Sequence, residues 1–128
     1  MTIFQMQIET GHPVLFFSDS AGEISIPLNT GPAFVTATSD CVCFWVLSFV
    51  DGASLVTLSD RECEADGLKL FSGSIDVPSG IATLSDSSSF RYINVPVAAG
   101  RLSIDVWADD DNNPEWVWLK LGGIRSRL

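Results

Sequence analysis

The stretch that decides the fold is Cys41-Val42-Cys43-Phe44-Trp45-Val46-Leu47-Ser48-Phe49-Val50, the longest apolar run in the chain. It is too short for a transmembrane helix, which needs about 20 apolar residues. On a β-strand, successive side chains point to opposite faces. Here both faces are apolar, with Cys41, Cys43, Trp45, Leu47 and Phe49 on one and Val42, Phe44 and Val46 on the other. The run therefore predicts a central strand that is covered on both sides.

Short runs of strand length lie on both sides of this stretch, separated by turns rich in glycine, proline, asparagine and aspartate. No helical periodicity is present. Only Ser59 to Ala65 could form a helical turn, with Ser59 as its cap and Glu62 completing a capping box. The sequence predicts an all-β fold, a two-sheet antiparallel β-sandwich of jelly-roll type, forming a single domain over residues 1–128. The predicted strands lie near 3–9, 14–18, 33–38, 41–50, 53–58, 67–76, 80–84, 90–97, 101–107 and 115–121.

Charge limits the partners. The chain has 16 acidic and 7 basic residues and a net charge of −9. A negative surface repels nucleic acid and anionic membranes, so we expect neither as a partner and instead expect a basic protein. Residues 1–7 lack the basic and apolar regions of a signal peptide, which leads us to expect a cytoplasmic protein.

The three cysteines favour reduced thiols, because an odd number and a cytoplasmic setting disfavour a disulfide framework. Cys63 and the single histidine, His12, could be drawn into a zinc site, but no ligand spacing supports one. Asp109, Asp111 and Asn113 form the weaker candidate for a Ca²⁺ site, since Ca²⁺ prefers oxygen ligands. We otherwise expect no cofactor.

The last two predicted strands carry the most specific inference. Leu102, Ile104 and Val106 alternate with Trp107, and Val117, Leu119 and Leu121 alternate with Trp116 and Trp118. If the aliphatic sets face the core, the three indoles share the outer face. A hairpin through 108–114 would place Trp107 opposite Trp116, Asp105 opposite Trp118 and Ser103 opposite Lys120. Either the rings form an exposed patch beside Asp109–Asp111, or another strand or the N-terminal segment covers them.

Catalytic motifs are missing from the sequence. Its lone histidine, His12, lies in a Gly-His-Pro turn, and neither a nucleophile elbow nor a phosphate-binding loop is present. We therefore expect a protein that is not an enzyme. A second acidic cluster, formed by Asp60, Glu62, Glu64 and Asp66, would be exposed and could help to steer a basic partner.

Three segments resemble a known group of small bacterial proteins. They are Gly31-Pro32-Ala33-Phe34-Val35-Thr36-Ala37-Thr38, then Phe71-Ser72-Gly73-Ser74-Ile75-Asp76-Val77-Pro78-Ser79-Gly80, and the strand entry that runs from Val95-Pro96 through Gly100 to Leu102-Ser103-Ile104. In their order they resemble the ComJ-like, competence-associated nuclease inhibitors and similar immunity-type proteins. The resemblance implies a cytoplasmic β-sandwich that inhibits a partner by binding it.

The sequence thus predicts an inhibitor of the immunity or antitoxin type, which neutralises a basic effector such as a nuclease through an acidic aromatic patch. The predicted patch comprises Trp107, Asp109, Asp110, Asp111, Glu115, Trp116 and Trp118. Two alternatives remain open. One is a Ca²⁺-dependent carbohydrate-binding module, and the other is a structural subunit of a larger assembly. Oligomeric state does not follow from the sequence.

Overall fold

Strand alternation sorts the chain into two sheets. The computed structural model describes residues 3–21, 34–47 and 50–125, and within these it contains ten strands and no helix. They are β1 (Ile3–Ile8), β2 (Val14–Asp19), β3 (Val35–Ala37), β4 (Cys41–Trp45), β5 (Ser54–Ser59), β6 (Leu68–Val77), β7 (Ile81–Asp86), β8 (Arg91–Pro96), β9 (Gly100–Ala108) and β10 (Trp116–Leu121). The all-β, two-sheet prediction is confirmed.

The first sheet has the order β1-β5-β10-β9-β6, and the second has the order β3-β4-β2-β7-β8. All neighbouring strands are antiparallel except β5 and β10, which run parallel. The last strand, β10, therefore lies in the middle of its sheet, between β5 and β9.

The core lies between the sheets, and in β9 and β10 it consists of the inward side chains that the alternation predicted. From β9 and β10 come Leu102, Ile104, Val106, Val117, Leu119 and Leu121, each at most 2% exposed. The second sheet contributes Leu15, Phe17, Val42, Phe44, Ala82, Leu84 and Val95, all fully buried. Burying each large aliphatic or aromatic side chain stabilises the fold by about 1.5–3 kcal/mol.

Strand β4 is covered on both faces, as predicted, but it ends at Trp45 and not at Val50. Beyond Trp45, the Val46 N–H donates to the Pro13 carbonyl at 3.1 Å and the Leu47 N–H donates to Ser54 Oγ at 2.9 Å. These donors are therefore taken by loop partners and cannot extend a strand ladder. Residues 48 and 49, and residue 33 of the predicted strand 33–38, lie outside the described residues.

On its outer face the second sheet carries a small apolar cluster of Val14, Phe16, Cys41 and Cys43. Both thiols are buried and unpaired, as the cysteine count predicted. Burial raises the pKa of Cys41 to about 12, helped by the neighbouring Cys43, and raises that of Cys43 to about 11. These thiols remain protonated at neutral pH and act as apolar packing groups.

The candidate helical turn at Ser59–Ala65 does not form. Ser59 ends β5, and its Oγ accepts a hydrogen bond from the Arg61 N–H at 3.1 Å, so no capping box with Glu62 forms. The Arg61 carbonyl accepts from the indole N–H of Trp118 at 2.9 Å. A tertiary contact thus occupies the carbonyl that a helix would have used for its own backbone bond.

Candidate partner-binding surface

A continuous row of outward side chains crosses all five strands of the first sheet. In register it comprises Gln5, Thr57, Trp118, Trp107 and Lys69. Gln5 Nε2 donates to Thr57 Oγ1 at 3.0 Å, and Lys69 Nζ lies 5.2 Å from the ring centroid of Trp107. That distance suits a cation–π interaction. The two central indoles are held between hydrogen-bonding neighbours on one side and a cation on the other.

The predicted register of the β9–β10 hairpin is wrong by two residues. Trp107 lies opposite Trp118, not Trp116, and Asp105 lies opposite Lys120. Because a shift of two preserves the face of every side chain, the three indoles still point outward as predicted. All three rings are half-buried.

Aspartates in the connecting loop explain the shift. Asp109 Oδ1 accepts hydrogen bonds from the N–H groups of Glu115 at 2.9 Å and Trp116 at 3.2 Å. Asp110 Oδ2 accepts from the N–H groups of Asn112 at 3.0 Å and Asn113 at 2.6 Å, and these bonds lower the pKa of Asp110. Carboxylates therefore close the hairpin where a Trp107–Trp116 pair was expected.

The rings are covered in part by the connection between β5 and β6, residues 60–67, which we call the acidic strap. Its Arg61 carbonyl accepts from Trp118 Nε1, and its Glu62 Oε1 lies 3.8 Å from Lys120 Nζ. Gly67 lies so close to Trp116 that a Cβ there would be 2.3 Å from the ring atom Cη2. Among the described residues, the strap covers Trp116 and Trp118, and Lys69 of the neighbouring strand β6 lies over Trp107. Sequence reasoning missed the strap, although the glycine that ends the acidic cluster was a usable signal.

The strap brings the two acidic clusters together. Asp66 and Asp109 line one shallow groove with Gly67 and Leu68, and Leu68 is 48% exposed. Two strap acids are neutralised internally, Glu64 by Arg61 at 2.6 Å and Glu62 by Lys120. Among the described residues, the following acids form no ion pair: Asp66, Asp109, Asp110, Asp111 and Glu115.

The predicted patch residues therefore share one region. Trp107 and Trp118 are cross-strand neighbours, Trp116 lies on the same face of β10, and the acids occupy the loop that joins the two strands. The groove residue Leu68 is an addition that the sequence did not identify, and Asp66 belongs to the second acidic cluster that the sequence analysis named apart from the patch. This arrangement combines apolar ring surface with negative charge that no described cation neutralises, and it can receive a cationic protein surface.

The remaining candidate metal ligands and the lone histidine lie as follows. Within the described ranges, no three histidine, cysteine or acidic side chains are grouped so as to hold a metal ion. Asp109 binds the backbone of its own loop, and the Ca²⁺ candidate of Asp109, Asp111 and Asn113 stays a prediction. His12 is exposed in its turn, and Cys63 is half-buried in the strap.

The described part of the chain lacks a helix with the length and apolarity to cross a membrane.

Comparison with known proteins shows the fold. No protein-family model matches the chain, and no curated protein matches its sequence. Among solved structures, it is similar to ComJ from Bacillus subtilis, described as an inhibitor of the DNA degrading activity of NucA. The two share 9% sequence identity with a TM-score of 0.64, over 97% of this chain and 96% of ComJ. It is also similar to the protein described as Crocagin biosynthetic gene J, with 14% identity and a TM-score of 0.61, over 97% of this chain and 98% of the other. The chain therefore has the fold of ComJ along nearly its whole length.

Proposed function

We propose that the protein is an inhibitor that binds a basic protein, of the nuclease type, and masks the cationic site of that protein. The observation that carries the proposal is the set of acids that form no ion pair among the described residues, Asp66, Asp109–Asp111 and Glu115, beside three half-buried indoles. A nuclease binds phosphates through lysine and arginine, and carboxylates can take the places of those phosphates. The ComJ description supports the choice of a nuclease.

Two physical roles divide the surface. The carboxylates speed association, because complementary potentials steer the encounter and act mainly on the association rate. The indoles slow dissociation, because tryptophan supplies large apolar area and is enriched among the residues that dominate binding energy. The loop backbone is already fixed by Asp109 and Asp110, so little conformational entropy is lost when the partner docks. We place this encounter in a bacterial cytoplasm and expect no catalysis by the chain itself.

The first experiment is an inhibition assay. The protein is added to a panel of basic bacterial nucleases that includes NucA, and the degradation of DNA is followed. We expect one nuclease to be inhibited at near-equal molar ratio, and inhibition to weaken as salt is raised. Activity of every basic nuclease in the panel, even with a large excess of the protein, would contradict the proposal.

Variants then separate the two roles. Asp111 has an exposed side chain, and unlike Asp109 and Asp110 it holds no backbone bond among the described residues. Asp111→Asn should slow association several-fold at low salt, whereas Ser88→Lys, which changes the net charge equally on the other sheet, should not. Trp116→Ala should raise the dissociation rate by about tenfold or more. Equal association rates for Asp111→Asn and Ser88→Lys would contradict electrostatic steering by the acidic loop. An unchanged dissociation rate in Trp116→Ala would show that the indoles have only a structural role.

A further inference from the structure

We infer that the outer face of the second sheet carries a separate binding site for a small, neutral, polyhydroxylated ligand of monosaccharide size. The site is a cleft of about 240 Å³ on the sheet opposite the acidic patch. Two cross-strand pairs of β2 and β7 contribute to its lining, Phe16 with Ser85 and Ser18 with Thr83. Alternation turns these four side chains outward, because Leu15 and Phe17 between them fill the core.

Ser18 supplies the main evidence for a ligand. The residue is 2% exposed, it lines the cleft, and its hydroxyl has no hydrogen-bond partner among the described residues. Neighbouring Thr83, by contrast, donates its hydroxyl to the Ile93 carbonyl at 3.3 Å. Among the described residues, the fully buried side-chain atom that lacks a hydrogen-bond partner is Thr36 Oγ1, so the Ser18 hydroxyl keeps access to the open cleft and can bond water or a ligand there. Ser18 is therefore positioned to bond a molecule inside the cleft.

The charged groups of the cleft are already engaged at its edges. Arg91 Nη2 donates to the Ser20 carbonyl at 2.8 Å. Asp86 accepts from the Ser88 N–H at 2.9 Å and from the Tyr92 hydroxyl at 2.8 Å. Asp19, at the other end of the cleft, accepts from the N–H and hydroxyl of Ser79. Since β2 and β7 are antiparallel, Asp19 and Asp86 terminate opposite ends of the cleft.

This arrangement selects the ligand class. Two carboxylates against one guanidinium disfavour an anion, and carboxylates at opposite ends that are already bonded do not form a cation site. The hydroxyls of Ser18 and Ser85 can each donate and accept, and so can the hydroxyls of a sugar. Phe16, which is 9% exposed, lines the same cleft and adds a small apolar contact. At about 30 Å³ per water, the cleft holds the volume of roughly eight water molecules, which suits a single sugar unit.

The test is a titration of the isotopically labelled protein, followed through its backbone amide resonances. The probes are glucose, galactose, mannose and N-acetylglucosamine, with inorganic phosphate and glycine as ligands of other charge types. A ligand of about a dozen non-hydrogen atoms should bind with a dissociation constant in the millimolar range. We expect at least one sugar to shift resonances of β2, β7 and residues 85–91 while those of β9 and β10 stay unchanged.

Matched variants make the result specific. Ser18→Ala removes the unpartnered hydroxyl and should weaken sugar binding about tenfold without loss of folding. Ser74→Ala, on the outer face of the first sheet, should bind like the unmodified protein. Absence of shifts with every sugar, shifts with phosphate or glycine alone, or equal binding by Ser18→Ala would each overturn the inference. None of these outcomes bears on nuclease inhibition, which depends on the other sheet.

Discussion

The outer faces of the two sheets differ in how their apolar side chains are covered. On the second sheet, Val14, Phe16, Cys41 and Cys43 are buried. On the first sheet, the three indoles are half-buried beneath a strap that contacts them through one indole hydrogen bond and one glycine. The buried apolar cluster contributes to stability, whereas the partly covered indoles keep apolar area for a partner. The difference shows that side chains pointing outward do not by themselves make a docking surface, because the segment that covers them determines how much apolar area stays exposed.

The largest expected effect is a difference in reactivity between the buried thiols of the second sheet and the thiol of the strap. Burial raises the pKa of Cys41 from 9.0 to about 12, so its thiolate fraction near neutral pH falls roughly a thousandfold. In the native protein, a thiol-exchange reagent should react first with Cys63 in the strap, and far more slowly with Cys41 and Cys43. Unfolding should release all three. Cys63→Ser should abolish the fast phase of the reaction. Equal reaction rates for all three thiols in the native protein would show that the outer face of the second sheet is open to the reagent.

The next prediction concerns the contact between the strap and the indoles of the first sheet. Gly67→Ala places a Cβ within 2.3 Å of the Trp116 ring and should lower the free energy of unfolding by about 1–3 kcal/mol. Iodide should then quench tryptophan fluorescence more strongly, because the strap is pushed away from the indoles. The matched control is Gly11→Ala, where a Cβ meets nothing within 4 Å. Equal denaturation midpoints for the two variants would mean that the strap does not pack on Trp116.

Alkaline pH should lower the free energy of unfolding through the buried thiols of Cys41 and Cys43. The folded chain retains the protons of Cys41 and Cys43 to about pH 12 and 11, whereas an unfolded thiol releases its proton near 9.0. Because the folded state then binds more protons, the free energy of unfolding should fall above pH 9, by up to about 1.4 kcal/mol per pH unit for each thiol. Urea denaturation at a series of pH values measures this slope. Cys41→Ala should flatten it, and an identical slope in that variant would refute the assignment.

The smallest effect isolates a single contact of the strap. Trp118→Phe keeps a ring but removes the N–H that donates to the Arg61 carbonyl, and it should cost about 1 kcal/mol of unfolding free energy. Trp107→Phe is the control, because the described residues give its indole N–H no acceptor. Chemical denaturation of both variants measures the difference. A larger loss in Trp107→Phe than in Trp118→Phe would show that the hydrogen bond is not what holds the strap.

Alternation was sufficient to predict the strands and their inward faces. Leu102, Ile104 and Val106 on β9, and Val117, Leu119 and Leu121 on β10, are buried as their period of two required. The outward direction of the indoles follows from the same rule. These features could be predicted because they depend only on neighbours along one strand.

The register of the β9–β10 hairpin and the covering of the indoles by the strap were not predicted, because the register depends on side-chain hydrogen bonds in the loop and the strap depends on groups distant in sequence. The hairpin register was missed because Asp109 takes two backbone N–H groups that were assigned to the ladder. The strap was missed because its position is set by Trp118 and Lys120, more than fifty residues further along the chain. The approach of Asp66 to Asp109 follows from that position. Whether these acids bind a partner stays a prediction.

The central position of β10 has a consequence for synthesis. The open sides of β5 and β9 meet only through β10, so the first sheet stays in two parts until residues 116–121 have left the ribosome. During that interval, β5 and β9 present unpaired backbone groups that can join other chains. The first sheet therefore cannot close before β10 has been synthesised, and until then the open edges of β5 and β9 remain available for aggregation.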